Sequence, residues 1–344
     1  MAPARPDPLG SALPLAAAPM AGGPTTPGLA AAVAAAGAFP FLAGGYRTPE
    51  ALAADVAAVR RTGAAFGVNL FVPTPCPIGA AEYRRYAREL QPEADRHGLD
   101  LSAVPLTEDD DSWRDKLDLL LADPVPVVSV TFGLPWPAEL AALRRAGSRV
   151  LVTVTTVGEA RAATEAGADA LVVQGSDAGG HSGTHDPLRP VTPAPTAELT
   201  RAVLAATRLP VVATGGVDGP RAVAALLAAG ASAVAVGTLL LRTDESGAAP
   251  PHKDALADPA FPGTVVTRAF TGRPARALRN RFTDRHDASA PAGYPAVHHL
   301  TRDLRRAAAA AGDPHGLHLW AGTGHRSART GPARAVVEGL AAGL

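Results

Sequence analysis

The chain has few of the residues that mark several large classes of protein. Among its 344 residues there is one cysteine, Cys76, so no disulfide can form within the chain and a reducing compartment is expected. The formal net charge is zero, which provides no field to attract nucleic acid or an anionic membrane. No apolar run reaches the roughly 18 residues of a membrane span, and MAPARPDPLG lacks a signal-peptide core. We therefore expect a soluble, cytoplasmic protein that binds neither nucleic acid nor membranes.

Several phosphate, hydrolase and metal motifs are missing as well. The only two lysines, Lys116 and Lys253, do not follow glycine as in a Walker A sequence, and no GxGxxG follows a predicted strand. GxSxG does not occur, which argues against a Ser-His-Asp hydrolase. Four C-terminal histidines lack HExxH spacing and cysteine neighbours, so we interpret them as solvated and predict no metal site: His298, His299, His315 and His318.

The chain does contain a regular alternation of short apolar segments and alanine-rich helical segments. The apolar segments are hydrophobic throughout, as in parallel strands that are covered on both faces. We predict strands at 13–19, 39–45, 64–71, 125–133, 149–156, 168–175, 209–216 and 231–238. Helices are predicted at 49–62, 137–146, 157–166, 196–206 and 218–229. Glycines stand at the expected helix C-caps: Gly37, Gly63, Gly147, Gly167 and Gly230.

Eight such units within about 240 residues predict an α/β fold of the (β/α)8 TIM-barrel class, since open doubly wound sheets usually have fewer strands. We place the barrel at 10–243, with a helical insertion at about 74–124. Residues 244–344 are rich in Pro, His and Arg, with one clear helix around 300–311. We interpret them as an additional C-terminal helical subdomain packed on the barrel.

The active site of a TIM barrel lies at the C-terminal ends of its strands. We single out the residues there, Pro19, Met20, Ala21, Asn69, Gln174, Gly215, Gly216, Gly237 and Thr238. Glycine N–H groups after strands seven and eight lie where barrels bind phosphate, and they need no lysine to do so. The amides of Asn69 and Gln174 both donate and accept hydrogen bonds, as a heterocycle with alternating N–H and C=O groups requires.

The most unusual stretch is VVQGSDAGGHSGTHD, residues 172–186, where a buried strand opens into glycines and histidines. Gly179 and Gly180 remove side chains where a ring must approach the backbone. His181 follows them directly, and an imidazole near its ordinary pKa suits proton transfer. The stretch therefore predicts a flat, phosphorylated ligand beside a catalytic histidine.

These residues resemble those of a known family. QGSDAGGHSG is similar to the QGxEAGGHxG stretch of nitronate monooxygenases. APMAGG (18–23), GVNLF (67–71), ATGGV (213–217) and AVGT (235–238) match other flavin-site segments of that family in order, and TGRPARALRN (271–280) and LWAG (319–322) resemble its C-terminal segments. The likeness covers about 10 to 335. It implies an FMN-binding TIM barrel that oxidises alkyl nitronates, and potentially nitroalkanes, with O2 to a carbonyl compound and nitrite.

The resemblance also implies a role for each matched position. Pro19, Met20 and Ala21 would pass along the isoalloxazine, Asn69 and Gln174 would hydrogen-bond the flavin, and Gly179 and Gly180 would approach the ring or ribityl chain. Gly215, Gly216, Gly237 and Thr238 would hold the phosphate. His181 would be the catalytic group, either a base for nitroalkanes or a protonated group that holds the nitronate anion.

Three positions depart from the family pattern. Asp177 stands where Glu is usual, Ser182 where Arg commonly follows the histidine, and Thr323 where many relatives have Gln. We expect these changes to affect the substrate side more than the flavin side. The physiological substrate and the oligomeric state are left open by the sequence.

Three other functions fit parts of the pattern. The first is an FMN-dependent NAD(P)H reductase, of the enoyl-ACP reductase or quinone reductase type, on the same barrel. The second is an isomerase or aldolase without flavin, although no predicted strand ends in a carboxylate or lysine base. The third is a non-catalytic flavin-binding protein, against which His181 argues.

Overall fold

The computed structural model describes residues 7–74 and 76–344, and over these ranges eight parallel strands close into a barrel. The barrel strands are β1 (Leu15–Ala17), β2 (Phe39–Ala43), β3 (Gly67–Phe71), β4 (Val127–Thr131), β5 (Arg149–Val154), β6 (Ala170–Gln174), β8 (Val211–Thr214) and β9 (Ala233–Val236). They follow one another around the barrel in this order, and β9 pairs with β1. Each lies inside one predicted segment, so the predicted barrel class is confirmed.

Of the helices in the described ranges, the first eight lie between the strands of the barrel and the last four follow its last strand. They are α1 (Pro27–Ala35), α2 (Pro49–Arg60), α3 (Ala80–Asp95), α4 (Trp113–Ala122), α5 (Pro137–Arg145), α6 (Val157–Glu165), α7 (Thr196–Ala206), α8 (Pro220–Ala228), α9 (Pro250–Ala255), α10 (Arg281–His286), α11 (Ala296–Ala310) and α12 (Ala333–Ala341). All five predicted C-cap glycines have positive φ, between 74° and 103°. Over the described ranges, no helix has both the length and the apolar character required to cross a membrane.

Side chains fill the lower part of the barrel and leave its upper part open. Phe39, Phe41, Leu151 and Val212 belong to one buried cluster inside the strands. Gly67 is required there because a Cβ at this position would overlap the ring of Phe41. The aromatic plug forms a floor, and the space above it lies at the C-terminal ends of the strands.

The C-terminal segment contains strands as well as helices. A small antiparallel sheet has the order β10-β11-β7, with β10 (Thr264–Thr267), β11 (Ala275–Leu278) and β7 (Gly180–His181). Its register places Ala275 opposite His181 and Arg276 opposite Gly180. The loop that carries His181 is therefore paired with the C-terminal segment, which no local pattern in the sequence predicted.

The C-terminal segment also shares its apolar core with the barrel helices. Val337 and Leu340 of α12 lie in one buried cluster with Val33 of α1 and Val223 of α8. On the other side, α11 packs against α3 through a second cluster that includes Tyr86 and Leu300. The boundary at 243/244 stays a prediction, since these cores cross it.

Because the cores are shared, we expect 10–243 and 244–344 to unfold in a single transition. The Trp320→Phe variant leaves Trp113 and Trp136 as fluorescent reporters in the barrel, and the Trp113→Phe/Trp136→Phe variant leaves Trp320 in the C-terminal segment. The two urea midpoints should coincide with each other and with that from far-ultraviolet circular dichroism. Two separate transitions would show that the segment is an independent domain.

Candidate active site

A cavity of about 450 Å³ lies above the aromatic floor, between the strand ends and the C-terminal segment. The twelve residues singled out from the sequence all line it: Pro19, Met20, Ala21, Asn69, Gln174, Gly179, Gly180, His181, Gly215, Gly216, Gly237 and Thr238. The wall on the C-terminal side includes Arg305, His318 and Trp320, which the sequence analysis did not select.

The glycines after β8 and β9 leave backbone N–H groups free at this cavity. Gly215 and Gly216 have φ of 112° and 74°, a left-handed conformation that favours glycine. The N–H groups of Gly215, Gly216 and Gly237 donate to no acceptor among the described residues. Unpaired amides of this kind fit the oxygens of a phosphate ester.

The side-chain amides of Asn69 and Gln174 have different hydrogen-bond partners. Nδ2 of Asn69 donates to Oγ of Ser129 (2.9 Å) and Oγ1 of Thr131 (3.0 Å), while its Oδ1 accepts from no residue of the described ranges. Nε2 of Gln174 donates to the carbonyl oxygen of His181 (3.1 Å), and its Oε1 accepts from Gly183 N–H (2.6 Å). Asn69 thus keeps an acceptor for a ligand, and Gln174 positions the histidine loop.

Gly179 and Gly180 serve different structural needs. A Cβ on Gly179 would overlap the backbone of Ala321 and Gly322, so this glycine admits the C-terminal segment against the loop. Gly180 has φ of 76° and open space around it. Together they allow the loop to turn into β7 and present His181 to the cavity.

His181 sits in an aromatic pocket with one defined hydrogen bond. Its ring centroid lies 5.7 Å from Phe132, 5.8 Å from Tyr294 and 5.3 Å from Trp320. Its Nε2 is 2.9 Å from Oγ1 of Thr271, whose hydroxyl donates to the carbonyl oxygen of Arg273 (3.3 Å). These two bonds form together when the imidazole carries its proton on Nε2. In that tautomer Nδ1 carries the free lone pair.

The surroundings keep the imidazole uncharged. Burial, together with the nearby cations of Arg273 and Arg305, lowers the pKa of His181 to about 3. Arg273 is itself 0% exposed, and its guanidinium carbon lies 3.9 Å from the centroid of the Phe132 ring. At neutral pH His181 is therefore a proton acceptor and not a cation.

Two cavity residues adopt a backbone conformation that is unusual for side chains of their size. Tyr46 follows β2 with φ of 63°, and Phe132 follows β4 with φ of 83°. The N–H of Tyr46 donates to Oδ1 of Asp111 (2.9 Å), and Asp111 pairs with the buried Lys116 (2.7 Å). The aromatic wall is thus fixed by a buried ion pair, for which the sequence carries no local signal.

The interpretation of the C-terminal histidines as solvated is wrong for two of them. His298 is 6% exposed and stacks on Tyr46 with ring centroids 4.1 Å apart, and His318 lines the cavity. Their pKa values lie well below the ordinary range because both rings are buried near Arg305. No cluster of three or more potential metal ligands occurs in the described part of the chain.

The three departures from the family pattern lie behind the cavity wall. Asp177, Ser182 and Thr323 are not among its lining residues. The carbonyl oxygen of Asp177 accepts from Thr323 N–H (3.1 Å), and Ser182 N–H donates to the carbonyl oxygen of Pro274 (2.8 Å). Their backbone groups join the loop to the C-terminal segment, and the expectation that they act on the substrate side stays a prediction.

Comparisons with known proteins assign this site to a family. A family model described as nitronate monooxygenase matches residues 10–343. The chain belongs to the nitronate monooxygenase family. Membership of the nitronate monooxygenase family makes it a flavin-dependent oxidoreductase. Two relatives described as probable nitronate monooxygenases, from Staphylococcus aureus strains MSSA476 and Newman, are 34% identical over 325 residues, which is 92% of this chain and 90% of theirs.

Two solved structures extend the comparison. Nitroalkane oxidase from Streptomyces ansochromogenes is 50% identical with a TM-score of 0.92, over 96% of this chain and 95% of that one. FabK from Thermotoga maritima is 26% identical with a TM-score of 0.74, over 97% of this chain and 93% of that one. The similarity therefore spans the barrel and the C-terminal segment together.

We predict that the buried histidines make this nitronate monooxygenase family member less stable in acid. Burial lowers the pKa of His252 from 6.5 to about 4, so the unfolded chain binds the proton more readily. The stabilisation from neutral His252 is complete above pH 6.5 and is lost as the pH falls towards 4. At pH 5 the loss is about 2 kcal/mol for this residue.

The measurement is urea unfolding at pH 7 and pH 5, for the natural chain and for His252→Gln. Nε2 of His252 donates to the carbonyl oxygen of Trp320 (3.1 Å), and the glutamine amide keeps a donor without titrating. The decrease in the free energy of unfolding from pH 7 to pH 5 should be about 2 kcal/mol smaller in the variant than in the natural chain. The same decrease in both proteins would contradict the assignment of a low pKa to His252.

Proposed function

We propose that the chain oxidises alkyl nitronates with O2, giving a carbonyl compound and nitrite, and that it also accepts nitroalkanes. FMN is the proposed cofactor and His181 the proposed base. The observation that carries the proposal is an uncharged histidine, with Nδ1 free, at a cavity whose glycine amides fit a phosphate. The similarity to nitroalkane oxidase supports the same reaction class.

The residues present fit FMN. Gly215, Gly216 and Gly237 would hold the phosphate through their unpaired N–H groups, and Oδ1 of Asn69 would accept from a ring N–H. Pro19, Met20 and Ala21 would line one side of the ring, as the family resemblance implies. When bound, FMN supplies the electron acceptor and the reactivity towards oxygen.

Proton removal is the step that the chain's own residues perform for a nitroalkane. Nδ1 of His181 accepts the proton from the carbon next to the nitro group. Although the pKa of His181 is about 3 in the site alone, the nitronate formed beside it stabilises the imidazolium. Thr271 holds the opposite ring nitrogen, Nε2, and can accept its proton in a hydrogen bond. The aromatic rings around His181 exclude water from this transfer.

A preformed nitronate needs no base, which separates the two proposed roles of His181. As an uncharged group, His181 does not attract the anion by charge, so we retain the base and not the cationic role. We predict that His181→Asn lowers kcat/KM for nitroethane by roughly 10²- to 10⁴-fold and for preformed ethyl nitronate by less than about tenfold. Nitrite release and oxygen uptake measure both.

Thr271→Val is the matched variant, because it removes the partner of Nε2 and leaves the imidazole in place. It should reduce nitroethane turnover less than His181→Asn does. Full activity of His181→Asn on nitroethane, with cofactor content unchanged, would disprove the base assignment.

The cofactor is tested on the purified protein. We expect a flavin absorbance band, and the cofactor released by heat should co-migrate with FMN and not FAD. Without oxygen, ethyl nitronate should decrease that band. A released cofactor that co-migrates with FAD would contradict the proposed cofactor, and a flavin band that does not respond to nitronate would contradict the proposed reaction.

A second candidate is an FMN-dependent NAD(P)H reductase, favoured by the structural similarity to FabK over 97% of the chain. Such an enzyme needs reduced nicotinamide as its electron donor. Rapid loss of the flavin band with NADH or NADPH, together with no response to ethyl nitronate, would establish this alternative.

A further inference from the structure

The cavity is lined by basic residues and by no acidic ones. Within the described ranges its lining includes three arginines of α11 and neither aspartate nor glutamate. Two of them, Arg302 and Arg306, lie 3.6 and 3.3 Å from Oδ1 of Asp303, and their side chains are 62% and 79% exposed. Their charges are thus partly balanced and screened by solvent.

The third arginine, Arg305, is buried and has no acidic partner. It is 8% exposed, and no carboxylate of the described residues forms an ion pair with it. Nε donates to Oγ1 of Thr301 (3.1 Å), and Nη2 donates to the carbonyl oxygen of His298 (3.0 Å). Nη1 donates to no acceptor in the described part of the chain. The side chain is held firmly and keeps one nitrogen free.

A buried guanidinium without a counter-charge is energetically costly, and burial lowers the pKa of Arg305 to about 10. Arg273 is buried as well, but it does not line the cavity, and its guanidinium forms a cation–π contact with the ring of Phe132. Arg305 is therefore the desolvated cation that a ligand in the cavity can reach. The unpaired N–H groups of Gly215, Gly216 and Gly237 already provide donors for a phosphate.

We propose that Arg305 binds an oxyanion of the substrate, and that this contact makes the enzyme prefer anions over neutral molecules of the same shape. The oxyanion is either the nitronate group itself or a carboxylate elsewhere on the substrate. The proposal rests on the proposed function for the identity of the substrate. It assigns substrate charge recognition to Arg305 and leaves proton transfer to His181.

The geometry explains why an arginine serves this purpose. Its free Nη1 carries two N–H groups that can donate to a nitronate or carboxylate oxygen, and a charge-assisted bond of this kind is strong where water is excluded. The bound anion supplies the negative charge for Arg305 that no carboxylate of the described residues supplies. A neutral nitroalkane offers no such charge, so it gains little from Arg305.

The test compares Arg305→Gln and Arg305→Lys with Arg334→Gln, which removes the same charge from an exposed position on α12 that does not line the cavity. The substrates are 1-nitropentane, its nitronate, and the nitronate of 3-nitropropionate, which has the same number of non-hydrogen atoms and a carboxylate. We expect Arg305→Gln to raise KM roughly 10- to 100-fold for the anion that Arg305 binds and less than about threefold for neutral 1-nitropentane. Arg334→Gln should change every KM less than about threefold.

The two nitronates distinguish the sources of the oxyanion. An increase for both means that Arg305 holds the nitronate group, and an increase for the 3-nitropropionate nitronate alone means that it holds the carboxylate. Equal effects on neutral and anionic substrates would overturn the proposal. Loss of the flavin with unchanged KM in the molecules that retain it would also overturn it, because Arg305 would then belong to the cofactor site.

A binding measurement keeps the inference separate from the proposed reaction. Butyrate and its neutral counterpart butanamide are titrated into the purified full-length protein, with the flavin spectrum as readout. We expect butyrate to bind at least tenfold more tightly than butanamide, and Arg305→Gln to remove that difference, even if no nitronate is turned over. Should Arg305→Gln fail to fold, Arg305→Lys must reduce the preference, because one ammonium cannot both replace the bonds to His298 and reach the anion. An unchanged preference would refute the proposal.

Discussion

The pairing of β7 with β11 is the contact on which the rest of the site depends. Two residues, Gly180 and His181, leave the end of a barrel strand and join a sheet formed by the C-terminal segment. Gln174 ties the same loop back to the barrel through the His181 carbonyl and the Gly183 amide. The histidine is thus held from both sides, which is the preorganisation that a proton-transfer group requires.

This arrangement also accounts for the close packing around the loop. Gly179 lies against the Ala321–Gly322 backbone, and Thr323 bonds to the carbonyl oxygen of Asp177. The positions where this chain departs from the family pattern belong to this junction. Their backbone groups attach the loop to the C-terminal segment, and none of the three lines the cavity.

Charge is distributed unusually in the cavity. Burial and two arginines keep His181 neutral, and none of the acidic residues of the described ranges lines the cavity to balance Arg305. A site of this kind favours ligands that bring negative charge with them, as both a phosphorylated cofactor and a nitronate do. The same low-dielectric surroundings that depress the basicity of His181 in the isolated site strengthen its interaction with a newly formed anion.

The sequence by itself determined the barrel fold and the strand ends at which the cavity lies. Each continuous apolar segment contains one strand, and the C-cap glycines have the positive φ that helix ends require. Both features are local consequences of backbone sterics and side-chain burial. The rule that barrel sites lie at strand ends selected nine residues, the stretch 172–186 added three, and all twelve share one cavity. Tertiary structure alone decided the rest. The strained Tyr46 and Phe132, the burial of His298 and the unpaired Arg305 depend on contacts between segments far apart in the chain. No local pattern encodes such contacts, since burial and desolvation arise only when the C-terminal segment covers the barrel.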